Sequence, residues 1–499
     1  MSHNITNCDN KNNSASDKRI HYIITLVISM AFYLFFAIFD GPVWCVDSNS
    51  YTTMDFSREP AYPTFLLVLR CIFGEAIGRN DLPQYLQVAV IIQSLIWGYM
   101  TFRACQFVFD IYYSQNDKKA PKKAKYKAVI LGAITFVMMI AIPILDRFFV
   151  ERHSMYSESI MTESLAMPLF VIFLIKLCEW YLYEKEKDYV LLFIEALLLI
   201  SIRKQMMVVI LVWAATSFLY HVLRKSSRDV KTFLITMVTI VITIVSAKLI
   251  DSTYNYFVRG EFTEHVGNHN GAFCTLMYSA GEEDIALFED EGDFPGEQEL
   301  FRRIYEECSG RGLLLENADK DISWPELTSH YADNYDLIGY EVITPFCTEY
   351  IKENNPNMDY NHRRMLEDDL EADMVKKLFK QDKGDLIRVF AANLARAFVY
   401  SNARMMPRAL ISISFILYAI FALIYIMTSI HHDNKTTSYS RTKVLIISEI
   451  TFIALAVNAV SVGLLIFPQG RYMTYATGLF YTCFCLLICE VIKKQEANH

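Results

Sequence analysis

The chain reads as an all-α polytopic membrane protein of about ten transmembrane helices, with an α-helical extracytoplasmic domain inserted between the seventh and the eighth. Three observations predict this class. Of 499 residues, 53% are hydrophobic and 20% charged, with a mean hydropathy of +0.22, more apolar surface than one or two soluble cores can bury. Uncharged apolar runs of about 20 residues recur, the length that crosses a hydrocarbon core as a helix. Charge is divided unevenly: residues 252–385 carry 30 Asp and Glu against 12 Lys and Arg, a net of −18, and the remainder carries 25 against 35, a net of +10. An acidic, water-exposed region is therefore set into a basic membrane part.

The elements follow in chain order. Residues 1–19, rich in Asn and Ser, lack the small-residue cleavage site of a secretory signal, so the first apolar run is expected to stay as an anchor behind a disordered cytoplasmic tail. Spans are expected at Ile20–Phe39, Tyr85–Phe109, Ala128–Leu145, Ser159–Tyr181, Tyr189–Ile202, Met206–Leu223, Phe233–Ile250, Ala409–Ile430, Val444–Phe467 and Tyr472–Ile492. Residues 20–251 then form an N-terminal membrane module whose first outer loop is 40–84. The fifth run is short, and Arg203 and Lys204 follow it at once, the pattern of a tight helical hairpin with a charged tip. In the acidic domain, 252–385, helical stretches such as Glu297–Cys308 and His362–Gln381 alternate with the punctuation of Phe294-Pro295-Gly296 and Asn354-Asn355-Pro356. The C-terminal module, 386–499, opens on Leu386–Ser401, where apolar residues recur at helical spacing around Arg388 and Arg396, as in a helix lying on the outer membrane surface.

Orientation comes from the connecting loops. The six lysines of Asp117–Lys127, the run Arg224–Lys231, and Arg441, Lys443, Lys493 and Lys494 share one side if the passes alternate, and the positive-inside bias makes that side cytoplasmic. Both termini of a multi-pass cell-membrane protein would then be cytoplasmic. Eleven cysteines show no CxxC pair and no zinc spacing. Cys483, Cys485 and Cys489 read as small apolar residues, whereas Cys45, Cys274, Cys308 and Cys347 would face an oxidising outside without a spacing that assigns a pair. His153, His265 and His269 lack the companions of a metal site, and none is assigned. With no Gly-rich phosphate loop joined to a strand, a nucleotide-driven pump is disfavoured, and nothing marks a nucleic-acid partner.

The chemistry concentrates at the outer face. In the first outer loop, Asp47, Tyr51, Asp55, Arg58 and Glu59 lie just outside the membrane, and Pro60 and Pro63 open a helix bearing apolar Phe65, Leu66, Leu69 and Ile72. A carboxylate and an arginine are thus held where lipid headgroups sit. Three further segments put charge at the same level: Glu163 inside the fourth span, Arg203 and Lys204 at the hairpin tip, and Arg471 ahead of Tyr472. A charge deep in a span costs about 2.5–3.5 kcal/mol on insertion scales, so Glu163 is expected to face a cavity. Plainer readings stand beside these. Any wet loop holds acids and arginines, a tip arginine can snorkel to water, and Tyr51, Tyr62 and Tyr472 suit interface anchors as well as sugar-stacking rings.

The order of these features, namely the short outer loop with Asp47, the Arg-Glu-Pro-x-Tyr-Pro segment Arg58–Pro63, the helix after it, Thr162–Leu165, the half-span ending at Ile202-Arg203, and the pair Arg471-Tyr472, resembles the membrane glycosyltransferases of the C superfamily, among them the protein O-mannosyltransferases and lipid A aminoarabinose transferases. The resemblance covers mainly residues 20–223; the acidic segment resembles no known module. It implies transfer of a sugar from a polyprenyl-phosphate-linked donor to a cell-envelope acceptor on the outer face of the bilayer, with no cofactor; dependence on a divalent cation is not legible. It further implies that an acid of the first outer loop, here Asp47, sits at the reaction centre, and that a basic residue before the proline, here Arg58, serves beside it. Many relatives have two adjacent acids, whereas Ser48 follows Asp47 here.

The physical chemistry fits those roles. A carboxylate serves as base to an acceptor hydroxyl, best when partial burial raises its pKa. A departing lipid phosphate is stabilised by paired guanidinium hydrogen bonds from Arg58, Arg203 and Arg471, with Lys204 in support. Tyr51, Glu59, Tyr62, Glu163 and Tyr472 complete the expected substrate-binding set. Other classes remain open: a polytopic lipid or polysaccharide transporter or flippase, which would carry polar groups nearer the bilayer midplane, an O-antigen-type polymerase or ligase with its own large outer loop, and a non-catalytic sensor.

Overall fold

A computed structural model describes residues 2–113, 121–149, 154–183, 186–223, 230–289, 293–403, 408–430 and 439–498. The described chain is helical, with two isolated β-bridges. The membrane module begins with α1 (Ser2–Phe39), the single turn α2 (Ser48–Thr52), the amphipathic α3 (Ala61–Phe73), α4 (Gln84–Tyr112), α5 (Pro121–Phe149), α6 (Glu163–Tyr183), α7 (Glu186–Ile202), α8 (Val208–Ser217) with its π-helical continuation Phe218–Leu223, and α9 (Val230–Arg259). The inserted domain, named the outer domain after its expected side, follows as α10 (Asn270–Tyr278), α11 (Glu297–Gly310), α12 (Trp324–Asp336), α13 (Thr344–Asn354) and α14 (Tyr360–Leu378). The chain closes with α15 (Lys383–Ala403), α16 (Arg408–Ile430), α17 (Tyr439–Leu465), the short α18 (Gly470–Met473) and α19 (Thr477–Asn498).

Among the described residues, eight helices are long and apolar enough to cross a membrane, which makes this an all-α, multi-pass membrane protein. Two of the ten expected passes differ. The run Tyr189–Ile202 belongs to α7, which has 17 residues and carries Lys187, Asp188 and Glu195 in its interior. The last apolar helix starts at Thr477 rather than Tyr472, because Arg471 and Tyr472 are held in a separate turn. The helical backbone of α1 also extends back to Ser2, through the segment expected to be a disordered tail, as a continuation of the hydrogen-bond ladder of the first span. The lysine-rich residues 117–120, the run 224–229 and His153 lie outside the described residues.

The spans are buried very unequally. In α6, 72% of the apolar window is enclosed by other helices, against 17% in α1 and α9 and 11% in α16. The core accordingly forms around α4, α6, α8, α17 and α19, with Tyr33, Phe170, Phe173 and Trp213 fully buried. The peripheral α9 and α16 leave Leu234, Val238, Val241, Val245, Ile416 and Leu423 exposed, a continuous apolar surface that a bilayer covers and water does not.

A second core organises the outer domain around Phe273, Phe301, Leu327, Tyr331 and Leu370, with Phe288 stacked on Phe301 at 4.2 Å. Val389 and Ala392 of α15 and Phe467 beyond α17 belong to this core, so the domain is seated on the membrane module. α15, expected to lie on the outer membrane surface, packs between the two parts. Arg396 is buried, and its guanidinium donates to Pro468 O at 3.0 Å, Thr328 O at 2.9 Å and the Tyr400 hydroxyl at 3.2 Å. Cys45, Cys274, Cys308, Cys347 and Cys483 are buried, and Cys485 and Cys489 are half-buried.

Candidate active site

The site is built on a seam between the first outer loop and the segment ahead of α6. Val43 N donates to Glu158 O at 2.9 Å and Ile160 N to Val43 O at 3.0 Å, an isolated parallel bridge that fixes the two segments side by side. Ser48, fully buried, tightens the seam: its Oγ accepts from Cys45 N at 2.7 Å and donates to Ile160 O at 2.8 Å. A second acid at this position would aim a buried carboxylate at a carbonyl oxygen, which is a physical reason for Ser48 after Asp47. Asp47 is thereby held at the start of α2, and its carbonyl accepts from Ser50 Oγ at 2.7 Å.

Around Asp47 the polar side chains form a closed circuit. Asp47 Oδ1 pairs with Arg58 Nη2 at 2.9 Å and Oδ2 with Arg471 Nη1 at 3.3 Å. Arg58 donates through Nε to Ser50 Oγ at 2.7 Å and lies 4.6 Å above the Tyr51 ring. The Tyr51 hydroxyl is 3.3 Å from Thr162 Oγ1, which accepts from Arg203 Nη1 at 3.2 Å. Arg203 pairs with Glu163 Oε1 at 2.5 Å. Tyr472 closes the circuit, its ring between Arg203 at 5.0 Å and Arg471 at 4.7 Å, with its hydroxyl accepting from Arg471 Nη2 at 2.6 Å. Elements separated by 424 residues meet in one cluster.

Local folding explains the positions. Arg203 stands in extended backbone between α7 and α8, so the chain reverses there and presents a guanidinium instead of burying an apolar side chain. Arg471 follows the break after α17, where the Tyr472 carbonyl is held by Asn458 Nδ2 at 2.8 Å and Gln205 Nε2 at 3.4 Å. Glu163 opens α6 and is 1% exposed, while Asp47, Arg58 and Arg471 keep 29%, 26% and 28% of their side chains open to solvent. The circuit has a buried side formed by Glu163 and an accessible side formed by Asp47.

The electrostatics differ from the expected raised carboxyl. Burial pushes Asp47 up, but the charges of Arg58 and Arg471 outweigh it and hold the carboxyl below its ordinary value. Asp47 is therefore an ionised, doubly paired carboxylate. Arg471, for its part, is raised above its ordinary value: burial lowers it, and its neighbours Tyr472, Glu163 and Asp47 more than compensate. Its Nε is buried without a hydrogen-bond partner, a donor left over in the cluster.

Other expected site residues are set elsewhere. Tyr62 is fully buried behind the loop and donates to Gln93 Oε1 at 3.0 Å, so it supports the seam and is closed to a sugar. Tyr51 and Tyr472, at 3% and 4% exposure, stack on arginines instead. Asp55 braces its own turn, accepting from Ser57 N at 2.9 Å and Ser57 Oγ at 2.6 Å. Glu59 accepts from the Lys204 amide at 2.5 Å, and the Lys204 side chain is exposed to a flanking cavity of about 340 Å³ shared with Lys248, His265, His269 and Asp368. His265 pairs with Asp251 at 2.5 Å and His269 with Asp368 at 3.2 Å, and no metal-sized group of ligands occurs among the described residues.

Sequence reading missed the positioning residues Ser50, Gln205 and Asn458, and gave Thr162 no role. Asn458 is the one with a visible signal, a polar amide in the apolar run of α17. Comparison with protein-family models, with curated proteins and with solved structures finds no match.

Proposed function

We propose that this chain is a membrane glycosyltransferase of the C-superfamily type, moving a sugar from a polyprenyl-phosphate carrier to a cell-envelope acceptor on the extracytoplasmic face. The observation that carries this reading is the circuit itself: three arginines from three distant segments gathered in one cluster, Arg58 and Arg471 on the accessible carboxylate Asp47 and Arg203 on the buried Glu163. A structural ion pair needs one guanidinium. Three, one with a buried donor left over, suit a phosphate that brings its own negative charge.

The pairing suggests an order of events. A donor phosphate entering the cluster competes with Asp47 for Arg58 and Arg471, and as their charge is drawn to the phosphate the carboxylate regains basicity. The acceptor oxygen then forms its bond to the anomeric carbon while its proton passes to Asp47. The bond from the anomeric carbon to the phosphate oxygen breaks, and its electron pair leaves with the polyprenyl phosphate, stabilised by the arginines. Glu163, buried against Arg203, sets the orientation of that guanidinium.

The test uses the purified full chain in lipid nanodiscs with radiolabelled polyprenyl-phosphate hexoses and pentoses, and follows release of polyprenyl phosphate. Arg58→Ala, Arg203→Ala and Arg471→Ala are each expected to weaken donor use sharply, and the Arg-to-Lys variants too, because a point charge does not replace a planar fork. Absence of release from every donor, with labelled lipid instead crossing the bilayer, would replace this reading with a flippase.

A further inference from the structure

The outer domain approaches the Asp47 cluster at the junction of α12 with the π-helical segment Leu337–Ile343. This junction is anchored to the turn that carries Arg471. The Tyr335 hydroxyl donates to Leu465 O at 3.3 Å and to Gly271 O at 3.2 Å, and its ring packs on Phe467 at 5.3 Å. The next residue, Asp336, makes no side-chain capping bond and has no ion pair among the described residues, although Arg471 and Asp47 are within electrostatic reach. One turn on, Tyr340 is 73% exposed and lies within electrostatic reach of Asp336, Asp47, Arg58 and Tyr472.

Three features set this pair apart from ordinary surface residues. Partial burial pushes both the Asp336 carboxyl and the Tyr340 hydroxyl above their ordinary values, although the Tyr340 ring is largely open to solvent. Tyr340 stands on the wider turn of a π-helix, a deviation that recurs at functional sites. The neighbouring Glu341, by contrast, is spent on Arg311 at 3.1 Å. A carboxylate with free acceptor lone pairs beside an exposed aromatic face matches a carbohydrate, whose hydroxyls donate and whose C–H face stacks on a ring.

We infer that Asp336 and Tyr340 form the acceptor wall of the site and that the acceptor is a glycan, held by the outer domain against the donor held by the arginines. This rests on the glycosyltransferase reading. It also gives the inserted acidic domain a task that Tyr51, Tyr62 and Tyr472 cannot perform, since those rings are buried. A peptide or a lipid acceptor would instead need backbone partners or an apolar groove at this point.

The experiment places a photoreactive benzoylphenylalanine at Tyr340 of the full chain in cells, with the same probe at exposed Tyr360 as control, and stains the adducts for carbohydrate by periodate oxidation. A glycan-bearing adduct at 340 and not at 360 is expected, with Asp336→Asn lowering its yield about tenfold and Asp336→Glu restoring part of it. Adducts free of carbohydrate, no adduct, or a yield indifferent to Asp336→Asn would overturn the inference. Asp336 has no folded-state partner to lose, and affinity of the Asp336→Asn protein for a polyprenyl-phosphate hexose, expected within about twofold of wild type, checks that the variant is folded. If the wild-type chain releases polyprenyl phosphate through Asp47 and Tyr340 still captures no glycan, the acceptor inference fails alone. If no donor is turned over, the glycosyltransferase reading fails whatever Tyr340 captures.

Discussion

At the residue scale, Asp47 carries the most specific expectation. Asp47→Asn keeps size and most hydrogen bonding but removes the basic oxygen, so turnover should fall by about 100- to 10,000-fold while donor affinity is largely kept. Asp55→Asn should change turnover little, because Asp55 is engaged by Ser57 within its own turn. Near-normal turnover of the Asp47→Asn protein beside a dead Asp55→Asn protein would reverse the assignment. The pH dependence follows from the same pairing. Arg58 and Arg471 hold Asp47 below its ordinary value, so it stays ionised as pH falls through the usual carboxylate range and protonates only beneath it. If a bound phosphate draws those arginines away, the acidic limb of kcat should lie at higher pH than that of kcat/KM. Coincident limbs in the two profiles would exclude the exchange of partners.

At the element scale, the hairpin tip between α7 and α8 is held to the start of α6 by the Arg203–Glu163 pair, with Glu163 1% exposed. Removing one partner leaves a buried charge uncompensated, a loss of about 3–5 kcal/mol. Arg203→Ala should therefore lower the unfolding temperature of the whole chain as well as its activity, and Glu163→Gln added to it should recover part of the stability but none of the turnover. Thermal unfolding of the two variants in matched detergent separates the contributions. A second clasp joins α1, α5 and the loop ahead of α6, where Arg147 pairs with both Asp40 and Glu158. Burial, followed by the Asp40 carboxylate, pushes Glu158 up to about 8 in spite of Arg147. A carboxyl raised on folding contributes stability that is fully present below its ordinary value and is lost as pH rises through about 8. Unfolding temperature should therefore drop between neutral and mildly alkaline pH, and Glu158→Gln should remove that drop. Arg396, seated between α12, α15 and the Pro468 turn, ranks with these clasps, and Arg396→Ala should loosen the outer domain from the membrane module.

At the scale of the whole molecule, the division of charge predicts that residues 252–385 lie outside the cell and 117–127 inside. Single-cysteine labelling of intact cells with an impermeant reagent should tag 280–350 and spare 118–127. The opposite pattern would turn the protein over and place the Asp47 cluster on the cytoplasmic face, away from a cell-envelope acceptor. The seating of the outer domain through Phe467 and α15 makes it part of the same body as the spans, so its approach to the cluster is set by packing and not by a tether.

The class of the protein was legible from sequence because membrane insertion is decided locally. A run of about 20 apolar residues is costly in water whatever surrounds it, and so the long spans, the inserted acidic domain and the gathering of charge at the outer boundary could be read residue by residue. Asp47 and Arg58 were nominated by their place in the polar loop after the first span and by the resemblance, and Arg203 and Arg471 because each follows the end of an apolar run. Which of them touch was decided only by tertiary structure, for proximity between the first outer loop and Arg471 is a property of helix packing around α6 and α17. Packing also reassigned residues whose local pattern was ambiguous. Tyr62 and Tyr472 look alike in sequence, yet one supports a loop from behind and the other lies between two guanidiniums. Asp336 and Tyr340 carry no local signal, since an exposed acid and tyrosine are ordinary in a wet domain; only the seating of α12 on the Arg471 turn gives them something to face.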